Sequence, residues 1–281
     1  MKNRTLFFIK RPLLILAVGG ITFLGTNGCD NIEDLCGIDE SNIATGEIFV
    51  TSLNHMVDIY TRIDETNKDS VLNATGTNTI DGAVCTKTVD SLIIDYGNSP
   101  TLCADGKTRS GSIRTKISGN YQTVGSQISA SLENYFVNES QIKGAISVEN
   151  FGPSLTPEFQ LTTSKFMVDE DSEIDYSLQM NWLNGFVSPK LEDDIFDVSG
   201  SVSGTDLVHS KEFSSKILQP LHYVNECSNY IESGEMEITL VDDELVPTFT
   251  IDFIEEDGCN NLFQSTVNCN DQPVSFTYPF N

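Results

Sequence analysis

The sequence predicts a mainly β protein: one large antiparallel sheet, arranged as a sandwich or a curled half-barrel, with one N-terminal helix and two weakly related halves. The first observation is the alternation of apolar and polar residues, clearest over residues 174–182 and repeated over 128–148. Such alternation buries one face of a strand and leaves the other in water, which is typical of antiparallel sheets. The second is the pair Asp-Gly at 105–106 and the pair Asn-Gly at 184–185 between these segments, since both pairs favour hairpin turns.

One segment near the start departs from the two-residue period. Over residues 48–63 apolar side chains recur mostly at steps of three and four, which predicts one helix with a core-facing stripe. Asp58 and Arg62 fall off this stripe. Ser41 or Thr45 is suited to cap the start of the helix.

Strands dominate the chain after a loop predicted over residues 67–82, and no second amphipathic helix is predicted. Pro153 and Pro157 mark a boundary within the β-rich part. A weak repeat relates the two sides of this boundary, because a cysteine, an Ile-Asp-aromatic triplet and a second cysteine recur on each. The predicted halves are about 83–152 and 158–281.

The first 28 residues have the features of a signal peptide. Four basic residues precede an apolar segment of about a dozen residues, 13–24, which matches the core of a signal peptide. A membrane-spanning helix needs about 20 apolar residues, so this segment is too short to span. We therefore divide the chain into a signal peptide at 1–28, an acidic tether at 29–41 and a β-rich domain at 42–281.

The small residues that precede Cys29 resemble the lipobox of bacterial lipoproteins. The resemblance implies that the sulfur of Cys29 receives a diacylglycerol, that Cys29 begins the mature protein, and that acyl chains such as palmitate hold it in a membrane. Thr26 and Asn27 depart from the aliphatic and small residues usual in that motif. Cleavage nearby by an ordinary signal peptidase is the alternative.

The sequence after the cysteine, Asp-Asn-Ile-Glu-Asp at 30–34, resembles the acidic tract that marks many Bacteroidota-type lipoproteins for the cell surface. The resemblance implies an outer-membrane location, with surface display ranked ahead of a periplasm-facing anchor. In other bacterial groups an Asp directly after the lipidated cysteine implies retention in the inner membrane. Residues 91–113 are similar to a segment of uncharacterised exported Bacteroidota proteins, which implies the same address and a β fold but brings no established activity.

The charge of the chain excludes one class of partner. The net charge is -25, and removal of the four basic residues in the leader leaves 12 basic against 41 acidic residues, a net charge of -29. Nucleic-acid binding depends on Lys and Arg neutralising phosphates, so we expect no nucleic-acid partner. The same charge disfavours adsorption to anionic lipid, so the predicted membrane contact is the lipid anchor alone.

The cysteine count predicts three disulfides. With Cys29 assigned to the lipid, six cysteines remain, an even number in an exported chain. Six cysteines allow 15 pairings, and the weak repeat favours one pair within each half. The predicted pairs are Cys85 with Cys103, Cys227 with Cys259, and Cys36 with Cys269.

No motif predicts catalysis, a cofactor or a metal site. His55, His209 and His222 show no ligand spacing. Carboxylate clusters, which include residues 169–175 and 192–194, are interpreted as solvated hairpin tips rather than calcium sites.

Arg109 and Arg114 lie near Asp105 in the sequence and raise the hypothesis of an anion site. We favour a second interpretation, a hairpin turn with an exposed arginine that pairs with the abundant acids.

Three functional hypotheses follow. The leading one is a non-catalytic binding or structural module of the cell envelope, whose protein or glycan partner is unknown and which should present an exposed aromatic or loop-built patch. The second is a carrier that shelters an apolar ligand in a curved sheet lined by residues such as Trp182, Phe249 or Phe276. The third is a glycan-active hydrolase with converging carboxylates in a cleft.

Overall fold

The computed structural model describes most of the chain from residue 40 onward. The leader, Cys29 and nearly all of the acidic tether lie outside the described residues, so the predictions made for them remain predictions. The described residues are 40–121, 123–152, 157–188, 190, 192–225, 230–241, 248–253, 262–269 and 272–279.

The described chain is mainly β, as the sequence predicts, with two helices followed by fourteen strands. Helix α1 spans Glu40–Lys68 and α2 spans Ser70–Thr75. The strands are β1 Thr77–Ile80, β2 Ala83–Lys87, β3 Ser91–Leu102, β4 Thr108–Ser118, β5 Gln127–Val137, β6 Ser140–Asn150, β7 Glu158–Val168, β8 Ser172–Asn184, β9 Ile195–Asp206, β10 Lys211–Val224, β11 Tyr230–Leu240, β12 Thr248–Phe253, β13 Leu262–Cys269 and β14 Gln272–Pro279.

All fourteen strands belong to one sheet in which every strand pairs with its neighbours in the sequence. The order runs from β1 to β14 without a crossover, and each adjacent pair is antiparallel. Strands β6 and β7 pair across the predicted boundary, where Asn150 lies opposite Phe159. The sheet therefore continues through the region of Pro153 and Pro157, and the relation between the two halves stays a prediction.

Helix α1 lies in the concavity of this sheet. Its side chains contact strands on several sides: Phe49 packs edge-on against Phe213 of β10, Ser52 accepts a hydrogen bond from Tyr176 of β8, and Asp58 is bound by β4. A helix that is covered on all sides must be enclosed by the structure around it. Of the two predicted arrangements, this one is the curled sheet, with α1 in place of a second layer.

The sequence underestimates how deeply α1 is buried. The apolar stripe is in the core, as predicted, but Asp58 is also fully buried and Arg62 is only 6% exposed. The helix is longer than predicted and includes both proposed caps, since Thr45 donates a hydrogen bond to the carbonyl oxygen of Ser41 within it. Among the described helices, none is long and apolar enough to cross a membrane.

The predicted loop over residues 67–82 is also more ordered than the sequence suggests. It contains the end of α1, helix α2 and strand β1. Asp69 caps α2, because its carboxylate accepts a hydrogen bond from the backbone N–H of Leu72. Gly76 then ends the helix in the left-handed conformation.

Strand β8 follows the predicted alternation, whereas β5 does not. The apolar face of β8 is buried along its length up to Trp182. In β5 the alternation reverses at Asn134, which has a φ of 47°, so that Tyr135 and Val137 point into the core where the sequence predicts Phe136. The cause is an irregularity in the β5–β6 register between Ser131 and Tyr135, because an inserted residue moves all later side chains to the opposite face.

Irregularities of this kind recur in neighbouring strands and allow the sheet to curl. The β4–β5 register shifts beside Gly111, and the β6–β7 register shifts beside Gly144. Gly111 has a φ of 80°, and a Cβ at this position would lie 2.0 Å from the carbonyl oxygen of Asn134. Bulges bend strands and increase their twist, so a series of them gives the sheet the curvature that encloses α1.

Replacement of Gly111 by Ala should therefore destabilise the protein by about 3 kcal/mol or more, since left-handed strain adds to a backbone clash. Gly97→Ala is the matched control, because Gly97 has a similar φ of 78° and nothing within 4 Å of its Cβ position. We expect G97A to cost about 1–2 kcal/mol. Urea denaturation of both variants measures the difference, and equal losses would show that the close approach at Gly111 does not matter.

Candidate functional site

The connections between strands form two rims at opposite ends of the sheet, since consecutive antiparallel strands reverse direction. We call near rim the end that carries the β1–β2, β3–β4, β5–β6, β7–β8 and β9–β10 turns, and far rim the end that carries the β2–β3, β4–β5, β6–β7 and β8–β9 connections. Helix α1 begins at the near rim, where Thr45 donates a hydrogen bond to Asp206 at the end of β9. It ends at the far rim, where Lys68 lies near Asp194 of the β8–β9 connection.

A groove of about 700 Å³ opens at the far rim, between the end of α1, α2, the β2–β3 hairpin and the β4–β5 loop. Its volume lies within the range of pockets that take small ligands. Among the described residues that line it, none is Asp, Glu, His or Cys. The polar side chains that line it are Asn67, Asn73, Lys87, Thr88, Asn120 and Tyr121, and the apolar ones are Leu72, Val89 and Ile117.

Lys87 is the cationic residue of the groove and is held by neutral oxygens. Its Nζ donates hydrogen bonds to the side-chain oxygen of Asn73 at 2.7 Å and to the carbonyl oxygen of Asn67 at 3.2 Å. Burial lowers the pKa of Lys87. Among the ion pairs of the described residues, none joins Lys87 to a carboxylate.

Asn67 supplies an acceptor that the described residues leave unpaired. Its side-chain N–H donates to the carbonyl oxygen of Ile63 at 2.9 Å, which fixes the orientation of the amide. The Oδ1 atom is buried and has no hydrogen-bond donor among the described residues. A buried acceptor without a donor costs free energy, so this atom favours a ligand that can donate a hydrogen bond.

The far rim also exposes apolar side chains on its loops. Val89 and Val187 are 98% and 85% exposed, more than any other large apolar side chain in the described part. Val124 and Phe151, on the β4–β5 and β6–β7 connections, are also exposed. The near rim exposes Leu102, Leu207 and Val208 in the same way, and single exposed apolar side chains are ordinary on protein surfaces, so these side chains favour neither rim as a binding site.

A buried charge cluster lies beneath the groove. The hydroxyl of Tyr121 donates to Asp64 at 2.6 Å. The Nζ of Lys68 lies 2.7 Å from the same carboxylate and 3.8 Å from Asp194, and it also lies 4.2 Å from the ring centre of Trp182. One lysine thus lies near two buried carboxylates, and its single charge cannot balance both in their ionised forms; burial raises the pKa of each.

Asp194 is a second buried carboxyl group of this cluster whose pKa is raised. Burial raises the pKa of Asp194 to about 8, with Lys68 opposing and Asp64 adding to the shift. Neither Asp194 side-chain oxygen has a hydrogen-bond donor among the described residues. The prediction that residues 192–194 form a solvated tip is therefore wrong for Asp194, which is 1% exposed.

Asp194→Asn should stabilise the protein at pH 8 relative to pH 5. A raised folded-state pKa favours the folded state below the unfolded pKa, near 4, and this contribution is lost as the pH rises towards 8. The neutral amide avoids that loss. Urea denaturation at both pH values measures the effect, with exposed Glu192→Gln as control; a gain equal at the two pH values would contradict the protonation of Asp194.

A second charge cluster joins the last three turns of α1, at Asp58 and Arg62, to the near rim. Arg109 of β4 is fully buried, and its Nη2 donates to Asp58 at 2.7 Å and to Asp105 at 2.6 Å. Arg62 of α1 donates to Asp81 at 3.2 Å and to Asp105 at 3.3 Å. The two arginines therefore tie α1 to the β1–β2 and β3–β4 turns.

The anion-site hypothesis for Arg109 and Arg114 is answered by these contacts. The guanidinium group of Arg109 is bound by carboxylates of the protein itself. The interpretation as an exposed arginine is therefore wrong for Arg109. It is right for Arg114, which is exposed and pairs with Glu133 at 2.6 Å. Burial alone would raise the pKa of Asp58, but Lys107 and the two buried arginines outweigh it and hold that pKa well below its usual range.

Asp81, Cys103 and Asp105 also lie close enough together to be considered as metal ligands, with one atom of each within 4.8 Å of the others. The two carboxylates are already bound by Arg62. Burial raises the pKa of the Cys103 thiol, which keeps it in the protonated form that metals do not bind. These contacts favour the arginines over a metal ion.

Arg109→Met should destabilise the protein by about 3–5 kcal/mol at pH 7, because it leaves Asp58 buried without its closest partner. Arg114→Met, which removes an exposed pair, should cost less than about 1 kcal/mol. The depressed pKa of Asp58 gives stability that is present above the unfolded pKa, near 4, and is lost as the pH falls further. The deficit of R109M should therefore shrink below about pH 4. A deficit that does not depend on pH in urea denaturation would contradict this role.

The predicted disulfide between Cys85 and Cys103 is not formed. Both are buried free thiols. Cys85 lies opposite Ile94, whereas the sulfur of Cys103 is near Asp81, about 10 Å or more along β2 at roughly 3.3 Å per residue. Disulfide geometry does not allow such a separation. Cys36, Cys227 and Cys259, and the side chain of Cys269, lie outside the described structure, so the other two pairs stay predictions.

The histidines occupy separate places, as their spacing predicts. His55 is on α1, and burial lowers its pKa to about 4. His209 lies 2.7 Å from Asp206 in the β9–β10 turn. His222 lies 2.8 Å from Asp197 between β10 and β9.

The residues suggested for a carrier cavity are part of the packed core where they are described. Trp182 packs against Phe196 and Phe186 and donates a hydrogen bond to the hydroxyl of Tyr60 on α1. Phe249 lies against Gly46 of α1. The side chain of Phe276 lies outside the part of the chain that the structure describes.

Comparison with protein-family models, with curated proteins and with solved structures gives no match.

Proposed function

We propose that this chain is an exported lipoprotein of the cell envelope whose β domain is a non-catalytic binding module, with the far-rim groove as its binding site. In this proposal a lipid on Cys29 anchors the chain in the outer membrane. Display at the cell surface is ranked ahead of an orientation that faces the periplasm. The observation that carries it is a groove of about 700 Å³ whose lining offers amides, a lysine and apolar side chains.

The chemistry of the lining supports binding over hydrolysis. Hydrolysis of glycans commonly needs two carboxyl groups placed on either side of the bond. The described residues of the lining supply hydrogen-bonding amides and no carboxylate. The nearest carboxylate cluster, around Asp64 and Lys68, is buried beneath Tyr121.

The packing of α1 supports binding at a rim over transport in the sheet interior. A carrier of apolar ligands needs an open apolar cavity. The concave face instead packs against α1, through residues such as Phe49 and Tyr60, which are fully buried. A ligand in the groove would contact the end of the helix rather than displace it.

The direction of α1 supports the same site. The tether that carries Cys29 leads into α1, which begins at the near rim. A helix of 29 residues rises roughly 40 Å, so the groove, which lies beside the last residues of α1, is about that far from the start of the helix. That separation leaves the groove accessible to partners.

The proposal is tested by backbone NMR of the mature protein in detergent micelles, titrated with a panel of hexoses, uronic acids, amino acids and short peptides. We expect at least one class to shift signals of the groove, such as those of Asn73, Lys87 and Thr88, without formation of products. Signals of β9 and β10 away from the rim serve as the internal control.

Two results would contradict the proposal. One is a panel that leaves the groove signals unchanged. The other is turnover of a compound, which the same spectra would reveal as new ligand signals. Intact-mass measurement of the membrane-extracted protein tests the anchor separately, because a mature start at Cys29 with acyl mass is expected.

A further inference from the structure

We infer that the groove binds a hydroxylated monoanion, such as a uronic acid or another acidic sugar, with the anionic group on Lys87 and a hydroxyl on Asn67. This inference rests on the proposed function and names the ligand class for the same site.

Lys87 is the charged residue of the groove. Among the described residues, Lys87 is half-buried and is bound by neutral oxygens rather than by a carboxylate. Its two hydrogen bonds go to Asn67 and Asn73, and an ammonium group has three protons to donate. The half-buried positive charge is thus left without a counter-ion among the described residues, and an anionic ligand group would supply one.

Asn67 has a side-chain oxygen that can accept a hydrogen bond. This residue is 5% exposed, lines the groove, and has its Oδ1 unpaired and covered by protein atoms, so a ligand reaches that oxygen only when the side-chain amide turns towards the groove. An anion alone cannot satisfy it, because a carboxylate or phosphate oxygen accepts hydrogen bonds and does not donate them. A ligand that carries a hydroxyl near its acidic group can satisfy both residues.

The apolar walls of the groove and the net charge of the chain limit the size and the charge of the ligand. Leu72, Val89 and Ile117 give it apolar walls, which suit the C–H faces of a sugar ring. The net charge of the chain repels polyanions, and Lys87 is the one cation among the described residues of the lining. A single acidic group on a small ligand fits this balance, whereas a nucleic acid does not.

The test is isothermal titration of the mature protein in detergent with galacturonate, galactose and propionate. Galactose lacks the acid and propionate lacks the hydroxyls. We expect galacturonate to bind at least tenfold more tightly than either of the others. Lys87→Gln should weaken galacturonate binding about tenfold and weaken galactose binding by less, because galactose carries no anionic group to pair with the ammonium group.

Lys216→Gln is the matched control, since Lys216 is an exposed lysine on β10 that is remote from the groove. It removes the same net charge, so any loss shared by K216Q and K87Q would overturn the role assigned to Lys87. Thermal unfolding of both variants shows whether K87Q is folded, and Lys87→Arg, which keeps the charge, should retain binding if K87Q is destabilised.

The remaining outcomes separate the two proposals. Binding of galactose as tight as that of galacturonate, with groove signals shifted in NMR, would overturn the acidic ligand and leave the binding groove in place. Binding of propionate equal to that of galacturonate would overturn the role of Asn67. No shift of groove signals by any compound would overturn the site itself. Glucose 6-phosphate distinguishes a phosphate from a carboxylate as the source of the charge.

Discussion

The buried ion pair between Asp58 and Arg109 is the constraint on which the arrangement of the molecule depends. Both side chains are fully buried, and a buried charge is tolerated only when it is paired and hydrogen-bonded. Asp58 is on α1 and Arg109 is on β4, so the pair forms only when the sheet encloses the helix. Apolar packing supplies most of the driving force for that enclosure, while the pair fixes the rotation of α1 about its axis.

Because α1 fills the concave side of the sheet, a ligand has to bind at the ends of the sheet rather than inside it. With α1 in the concavity, the described part of the chain has its groove at the far rim, where Lys68 lies near Asp194 of the β8–β9 connection and Tyr121 donates a hydrogen bond to Asp64 of the helix. The near rim receives the start of α1 and, in our proposal, the lipid tether. One end of the domain would therefore serve attachment and the other binding.

The sequence predicts those features that depend on local pattern. The alternation over residues 174–182 gives the two faces of β8 correctly, because no bulge interrupts the apolar face there. In β5 the same logic fails after Asn134, since the register shift depends on a neighbouring strand. The burial of Asp58 depends on an arginine 51 residues away. The groove combines residues from 67 to 121, and no single segment carries its pattern.

Hydrogen exchange of the mature protein tests most directly whether α1 is the core of the sheet. If α1 is enclosed, the amides around Phe49, Met56 and Tyr60 should exchange as slowly as those in the centres of β8 and β9, and only through global unfolding. Fast exchange in α1 while β8 and β9 stay protected would contradict the account, because the concavity would then be open and the case for a rim-based function would fail.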